Sequence, residues 1–328
     1  MIRLGRRAVL GTGLGTIAAS LVSFGSSAQT WPARAIKLVV PFPPGGATDS
    51  VARLLGDALA PRLGYPVVIE NKAGAATVIG VDAVVKSSPD GYTLLVSGAS
   101  SYTMVPALRD KLPFDVTKDL VPIALVTFAP LVVVTSSAKP YLKLMDLVAQ
   151  AKAKPKLLTF STYGPGTQPH LAAELLADAA GLELQAVPYK GSADALVGLI
   201  RGDVDFGVET VSAAQAQIKA GKLRALAVNS GARTAFLPEV PGLNELGLSK
   251  AIIQGFYAVA APTGTPAAVV QRLVKEVSEI MATPEARTRC EDLSLEPVSI
   301  GPDGMRAVMN ADLARYRELN KRLKISME

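Results

Sequence analysis

In 328 residues the chain carries one cysteine, Cys290, and one histidine, His170. A lone cysteine excludes an internal disulfide, so the fold must rest on its apolar core. A lone histidine forces any imidazole-dependent triad or His-metal cluster through His170, and no group of residues has metal-ligand spacing. No glycine-rich loop is followed by the lysine–hydroxyl pair of a P-loop, and Gly11-Thr12-Gly13-Leu14-Gly15 misses the dinucleotide spacing. Gly98-Ala99-Ser100-Ser101-Tyr102 begins like a nucleophile elbow but lacks the closing glycine. Lysines and arginines are interleaved with acids and form no basic stripe, so a nucleic-acid partner is not expected. These absences argue against an enzyme, a metal site and a bound cofactor.

What is present begins with an export segment. Arg3, Arg6 and Arg7 form a basic stretch, residues 8–24 are apolar and rich in Gly and Ala, and Ser26-Ser27-Ala28 supplies small residues for cleavage. Residues 1–28 therefore read as a signal peptide, too short and too small-residue rich for a membrane anchor. Arg6-Arg7 fits a twin-arginine signal, and a general secretory signal fits as well. No cysteine stands at the cleavage point, so a lipid anchor there is excluded. The expected product is a soluble periplasmic protein, and losing three arginines lowers the formal charge of +6 by three. The remaining length exceeds one compact core and predicts two lobes.

Short β-branched runs at 36–40, 67–70, 93–96, 131–135, 157–160, 184–187, 204–208 and 225–228 alternate with segments of helical periodicity. The alternation predicts α/β architecture with mostly parallel sheets. The first run enters Pro41-Phe42-Pro43-Pro44-Gly45-Gly46-Ala47-Thr48-Asp49 and then an amphipathic helix. First-turn amides lack intrahelical acceptors and sit at the positive end of the helix dipole, and two glycines clear the approach of a small anion. Ser161-Thr162-Tyr163-Gly164-Pro165-Gly166-Thr167 repeats this strand–loop–helix order. The two modules are too distant in sequence to be neighbouring turns, so one per lobe, facing a shared cleft, is the economical arrangement.

Four loops carry small or polar residues just past strand ends: 42–49, 97–102, 163–168 and 209–212. Each alone reads as ordinary turn chemistry, and together they would converge on one cleft. The candidate ligand-binding residues are Phe42, Gly45, Gly46, Ala47, Asp49, Ser97, Ser100, Ser101, Tyr163, Gly164, Gly166, Thr167, Gln168, His170 and Glu209. His170, in a first helical turn, suits packing better than ligand contact. Asp49 would repel an anion, which leaves it a capping role or the role of acceptor for a ligand ammonium or water, with the cap favoured. Glu209 either faces the cleft or is solvated at a crossover.

These residues resemble a known family. The Pro41–Asp49 segment is similar to the signature of the Bug/TctC receptors of tripartite tricarboxylate transporters. Further matches follow in order: Val68-Ile69-Glu70-Asn71-Lys72, Ser88-Pro89-Asp90-Gly91-Tyr92-Thr93-Leu94, Gly164-Pro165-Gly166-Thr167 with His170, Val187-Pro188-Tyr189-Lys190-Gly191, and Ala261-Pro262-Thr263-Gly264-Thr265-Pro266. The resemblance implies a type II periplasmic binding protein, a venus flytrap of two α/β lobes closing on a small organic acid. It implies lobes of residues 29–128 plus 253–328 and of 129–252, a monomer, and permease subunits as partners. The 42–49 and 164–167 loops match the carboxylate-contacting loops. Tyr163 departs from the pattern, where a small residue is usual, and its ring would narrow the pocket or stack on an aromatic or amide-bearing ligand. A periplasmic sensor is the alternative reading, with a hydrolase or isomerase behind it.

Overall fold

The computed structural model describes residues 31–325, and the predicted signal peptide lies outside them. In chain order the elements are β1 (Ile36–Val40), α1 (Ala47–Leu63), β2 (Val67–Asn71), α2 (Val78–Val85) and β3 (Thr93–Gly98). A π-helical turn (Ser100–Met104) then runs into α3 (Val105–Leu108) and β4 (Leu120–Ala129). Next come β5 (Leu131–Ser136), α4 (Leu144–Ala153), β6 (Thr159–Thr162), α5 (Gln168–Ala180), β7 (Gln185–Pro188) and α6 (Ser192–Arg201). The rest is β8 (Phe206–Thr210), α7 (Val211–Lys219), β9 (Leu223–Val228), β10 (Gly255–Pro262), α8 (Ala267–Ala282), α9 (Pro284–Asp292), β11 (Glu296–Ile300) and α10 (Pro302–Leu323).

Two mixed sheets result. One has the strand order β11-β4-β10-β3-β1-β2 and the other β7-β6-β8-β5-β9. Only the β2-β1-β3 and β7-β6-β8 blocks are parallel, while β10, β4, β11, β5 and β9 pair antiparallel. The expectation of mostly parallel sheets is corrected here, and the cause is specific. β4, β10 and β11 were not anticipated, because β4 contains Pro122, β10 opens on Gly255, and neither is flanked by an obvious βαβ helix. The chain passes between sheets at Pro130, directly from β4 into β5, and returns through residues 229–254. Proline donates no amide hydrogen bond, so the ladder breaks there without an orphaned N–H. The Pro130 carbonyl accepts from Val211 N at 2.8 Å.

Helices pack by ordinary amphipathicity. On α10 the buried residues are Met305, Met309, Leu313 and Tyr316, one stripe of a helix. On α1 they include Val51, Leu54, Leu55 and Leu59, and Gly64 closes that helix in the left-handed conformation at φ 73°. Central β1 and β5 are almost wholly buried, as strands covered on both faces must be. Cys290 is buried on α9, and burial pushes its thiol up to about 11, which keeps it protonated and unreactive.

Candidate functional site

A cavity of about 200 Å³ opens between the two sheets. From the first lobe it is lined by Phe42, Pro43, Pro44, Gly46, Ala47, Thr48, Gly98, Ser100 and Tyr257. From the second come Leu131, Tyr163, Gln168, Pro169, Gly191, Ser192, Ala193, Asp194, Val208 and Thr210. No lysine or arginine is among them, and Asp194 is the sole lining residue with a formal charge.

The loop after β1 delivers α1 to this cavity. Gly45 takes φ +86°, the left-handed region that favours glycine, and Gly46 is an extended N-cap with no side chain to cap the helix. The first amides of α1 are thus left open beside the cavity. Asp49 is turned away. Its Oδ2 accepts from Gly45 N at 3.1 Å and from Arg53 Nε at 2.9 Å, and its Oδ1 accepts from Asn71 Nδ2 at 3.0 Å. Burial would raise its carboxyl, but the bonds from Arg53, Gly45 and Asn71 outweigh burial and hold it below the usual range. Asp49 therefore clamps its own loop and keeps its charge matched by Arg53.

The second predicted loop behaves differently. Thr167 Oγ1 donates to the Gly164 carbonyl at 2.7 Å, Gly166 N donates to His170 Nδ1 at 3.0 Å, and Gln168 N donates to Ser100 Oγ at 2.9 Å. Its donors are consumed within the protein, and Gly164, Gly166 and Thr167 lie off the cavity lining. His170 stacks on Phe160 with ring centres 6.0 Å apart, and burial lowers its imidazole to about 4. It is a neutral core residue at physiological pH, also off the lining. Ser97 Oγ and Ser101 Oγ bond each other at 2.6 Å in the interior, again behind the cavity wall. Gly45 stands just outside it.

Sequence reasoning missed the start of α6. Gly191, Ser192, Ala193 and Asp194 line the cavity from the second lobe, and α6 likewise has no side-chain cap. The signal was present, since Pro188-Tyr189-Lys190-Gly191 precedes a helical run, but Lys190 and the missing second glycine disguised it. Thr48 and Thr210 fall within the expected loops 42–49 and 209–212 without having been singled out, and Tyr257 was unforeseen. Tyr257, on β10, is hydrogen-bonded with Thr48 and Thr210, and burial holds its phenol protonated.

Glu209 is the penultimate residue of the fully buried strand β8, directly behind the lining. Its Oε2 accepts from Tyr163 Oη and from Ser192 Oγ at 2.9 Å, and its Oε1 has no partner. Burial raises its carboxyl to about 7, against the pull of those two hydroxyls. The Tyr163 ring does narrow the cavity, meeting Phe42 edge-on at 6.3 Å across the lobes. Gln168 presents a buried Nε2 without a partner.

Several contacts bridge the lobes. Besides Ser100–Gln168 and Phe42–Tyr163, a Cβ on Gly191 would sit 3.0 Å from Pro43 Cδ, so glycine there lets the loops close to contact. Among the described residues no group of His, Cys, Asp and Glu could hold a metal ion. No helix there is long and apolar enough to cross a membrane.

Two α/β lobes joined by crossovers, with helix N-termini facing a shared cavity, define the class of periplasmic solute-binding receptors. The family model described as the tripartite tricarboxylate transporter family receptor matches residues 51–325. The chain belongs to that family, one of solute-binding receptors. It is 39% identical to the protein BugT of Bordetella pertussis over 303 residues, 91% of this chain and 93% of BugT. The solved structure of periplasmic binding protein BugD aligns with a TM-score of 0.86 at 32% identity, covering 90% of this chain and 99% of BugD. The structure of R. palustris Rpa4515 with adipate aligns at 0.87 and 29% identity, over 90% and 99% of the two chains.

Proposed function

We propose that this chain is an exported periplasmic receptor that captures a small organic carboxylate between its lobes and delivers it to the permease subunits of a tripartite tricarboxylate-type transporter, without chemical turnover. The observation that carries the reading is the set of uncapped N-terminal amides of α1, which open on the inter-lobe cavity. A carboxylate would satisfy these groups, at roughly 1.5–3 kcal/mol for each charge-assisted bond. A few such bonds reach micromolar affinity, about 8 kcal/mol. The resemblance to Rpa4515, solved with adipate, supports the ligand class. Sheet membership supports lobes that divide near residues 128 and 252, and the receptor is taken to act as a monomer. Ligand contact with both lobes would hold them closed.

A thermal-shift screen of mono-, di- and tricarboxylates, nicotinate-like acids and amino acids tests this. One strong stabiliser recovered unchanged is expected. Turnover of that compound would replace the receptor by an enzyme, and neutral sugars as sole hits would remove the carboxylate.

A further inference from the structure

Polarity is distributed unevenly around the cavity. On the α1 side the acid of the first turn is matched by Arg53 and turned away, leaving backbone donors. On the α6 side the acid of the first turn, Asp194, lines the cavity and forms no ion pair among the described residues. Behind it stands Glu209, wholly buried, with Oε1 unpartnered and Oε2 holding the hydroxyl protons of Tyr163 and Ser192. A hydroxyl has one proton to give. With those protons committed to Glu209, Tyr163 and Ser192 present only lone pairs to the cavity they line. The side chains of the α6 wall therefore accept, with Asp194 offsetting the open amides of that helix end, whereas the α1 wall only donates.

We propose that the ligand is a small zwitterionic acid, its carboxylate at the α1 N-terminus and its ammonium facing Tyr163, Ser192 and Asp194, and that Glu209 is the positioning residue that sets this polarity. The inference rests on the carboxylate-receptor reading and narrows it. A second carboxylate in place of the ammonium meets two hydroxyls without free protons and two acids. The ionisation of Glu209 follows the ligand: an ammonium favours its charged form and drives proton release, whereas a dianion drives proton uptake. The groups facing Glu209 are Tyr163, Ser192 and Tyr257, and both tyrosines are held protonated by burial. Strands β5 and β6 beside it carry no charged residue, α7 carries only Lys219 in its last turn, and His170 on α5 is engaged with Gly166 and near Glu174.

Calorimetric titration of the purified protein at pH 7 in two buffers of different ionisation enthalpy tests the assignment. The probes are ω-amino acids, dicarboxylates and monocarboxylates of matched chain length, together with L-α-amino acids. An amino acid is expected to bind at least about tenfold tighter than its matched dicarboxylate, with proton release. Glu209→Gln is expected to abolish the release and erase most of that preference. Tyr163→Phe keeps the ring, removes one acceptor, and should weaken the amino acid severalfold while sparing the dicarboxylate. A dicarboxylate preference in the wild type, proton uptake, or an unchanged preference in Glu209→Gln overturns the proposal and leaves the carboxylate receptor standing. Binding confined to compounds without a carboxylate, or by none of the acids, overturns both.

Discussion

Helices α1 and α6 meet the same cavity with the same device, a glycine N-cap and no side-chain cap, yet treat their acids oppositely. Asp49 is buried, bonded by Gly45 and Asn71 and paired with Arg53, so the α1 end keeps its positive dipole for a ligand. Asp194 is exposed at the cavity rim without an ion pair among the described residues, so it offsets the α6 dipole rather than leaving it free. Similar backbone geometry thus yields two walls of different electrostatic character. A helix N-terminus is an anion site only when any acid in its own first turn is turned away and paired elsewhere, as Asp49 is with Arg53.

The sharpest way to break the comparison is at Gly46. Its backbone, φ −88° and ψ 172°, is open to any residue, and a Cβ there would lie 3.8 Å from Ser192 Cβ. Gly46→Ala should therefore be accommodated. The branched methyls of Gly46→Val would enter the space between the two helix ends and obstruct closure. We expect that variant to lose about a thousandfold in ligand affinity, roughly 4 kcal/mol, with an unchanged melting temperature in the absence of ligand. Calorimetry with the best acid from the screen checks it, and unaltered affinity would reduce the loop to a turn.

How much of this was legible in the sequence differs between the walls. The α1 wall was readable because Pro43-Pro44-Gly45-Gly46 announces a break and a helix start in consecutive residues, and β1 was found to its ends. The α6 wall was not, because Gly191 is a single glycine whose importance lies in the approach of Pro43 from far away in the chain. The 163–168 loop looked like a second cradle by composition. Its donors go locally to His170 Nδ1 and Gly164 O and, across the lobes, to Ser100 Oγ, and no local pattern encodes that last, long-range pairing. The unforeseen antiparallel strands, β4 and β10, failed for the same reason: their partners are distant and their own patterns are nearly all apolar.

Glu209 sharpens the comparison through pH. Burial raises its carboxyl from 4.5 to about 7 in the folded state, so the unfolded chain ionises first. Below pH 4.5 both states are protonated and the residue is neutral to stability. As pH rises from there to about 7, the buried carboxylate destabilises the fold progressively, by an upper limit of about 3 kcal/mol. Glu209→Gln should thus match the wild type near pH 4.5 and become more stable than it above pH 7. Denaturant titrations at pH 5 and pH 8 read the difference, and an equal shift at both would place the effect in packing.

On the α1 side, Asp49→Ala removes the acceptor for Gly45 N and Asn71 Nδ2 and leaves Arg53 unpaired. Arg53 is half exposed and Gly45 exposed, so both can turn to water, and the half-buried Asn71 Nδ2 keeps its second bond, to Phe42 O. A destabilisation of about 1 kcal/mol is expected, read by urea unfolding without ligand.

The smallest effect separates the walls most cleanly. Asp194 is exposed, so Asp194→Asn should leave the unfolding midpoint where it is. It removes the charge that offsets the α6 dipole while keeping a side chain of the same shape beside Ser192. If the two helix ends differ because of that charge, the variant should bind dicarboxylates a few-fold more tightly than the wild type, with a gain that shrinks as salt is raised across a Debye length of about 10 Å at 0.1 M. Binding of a monocarboxylate, held at α1 alone, should scarcely change. Equal gains for both acids would mean that Asp194 acts on the whole cavity, and the distinction between its walls would then have to rest on Glu209 and its two hydroxyls.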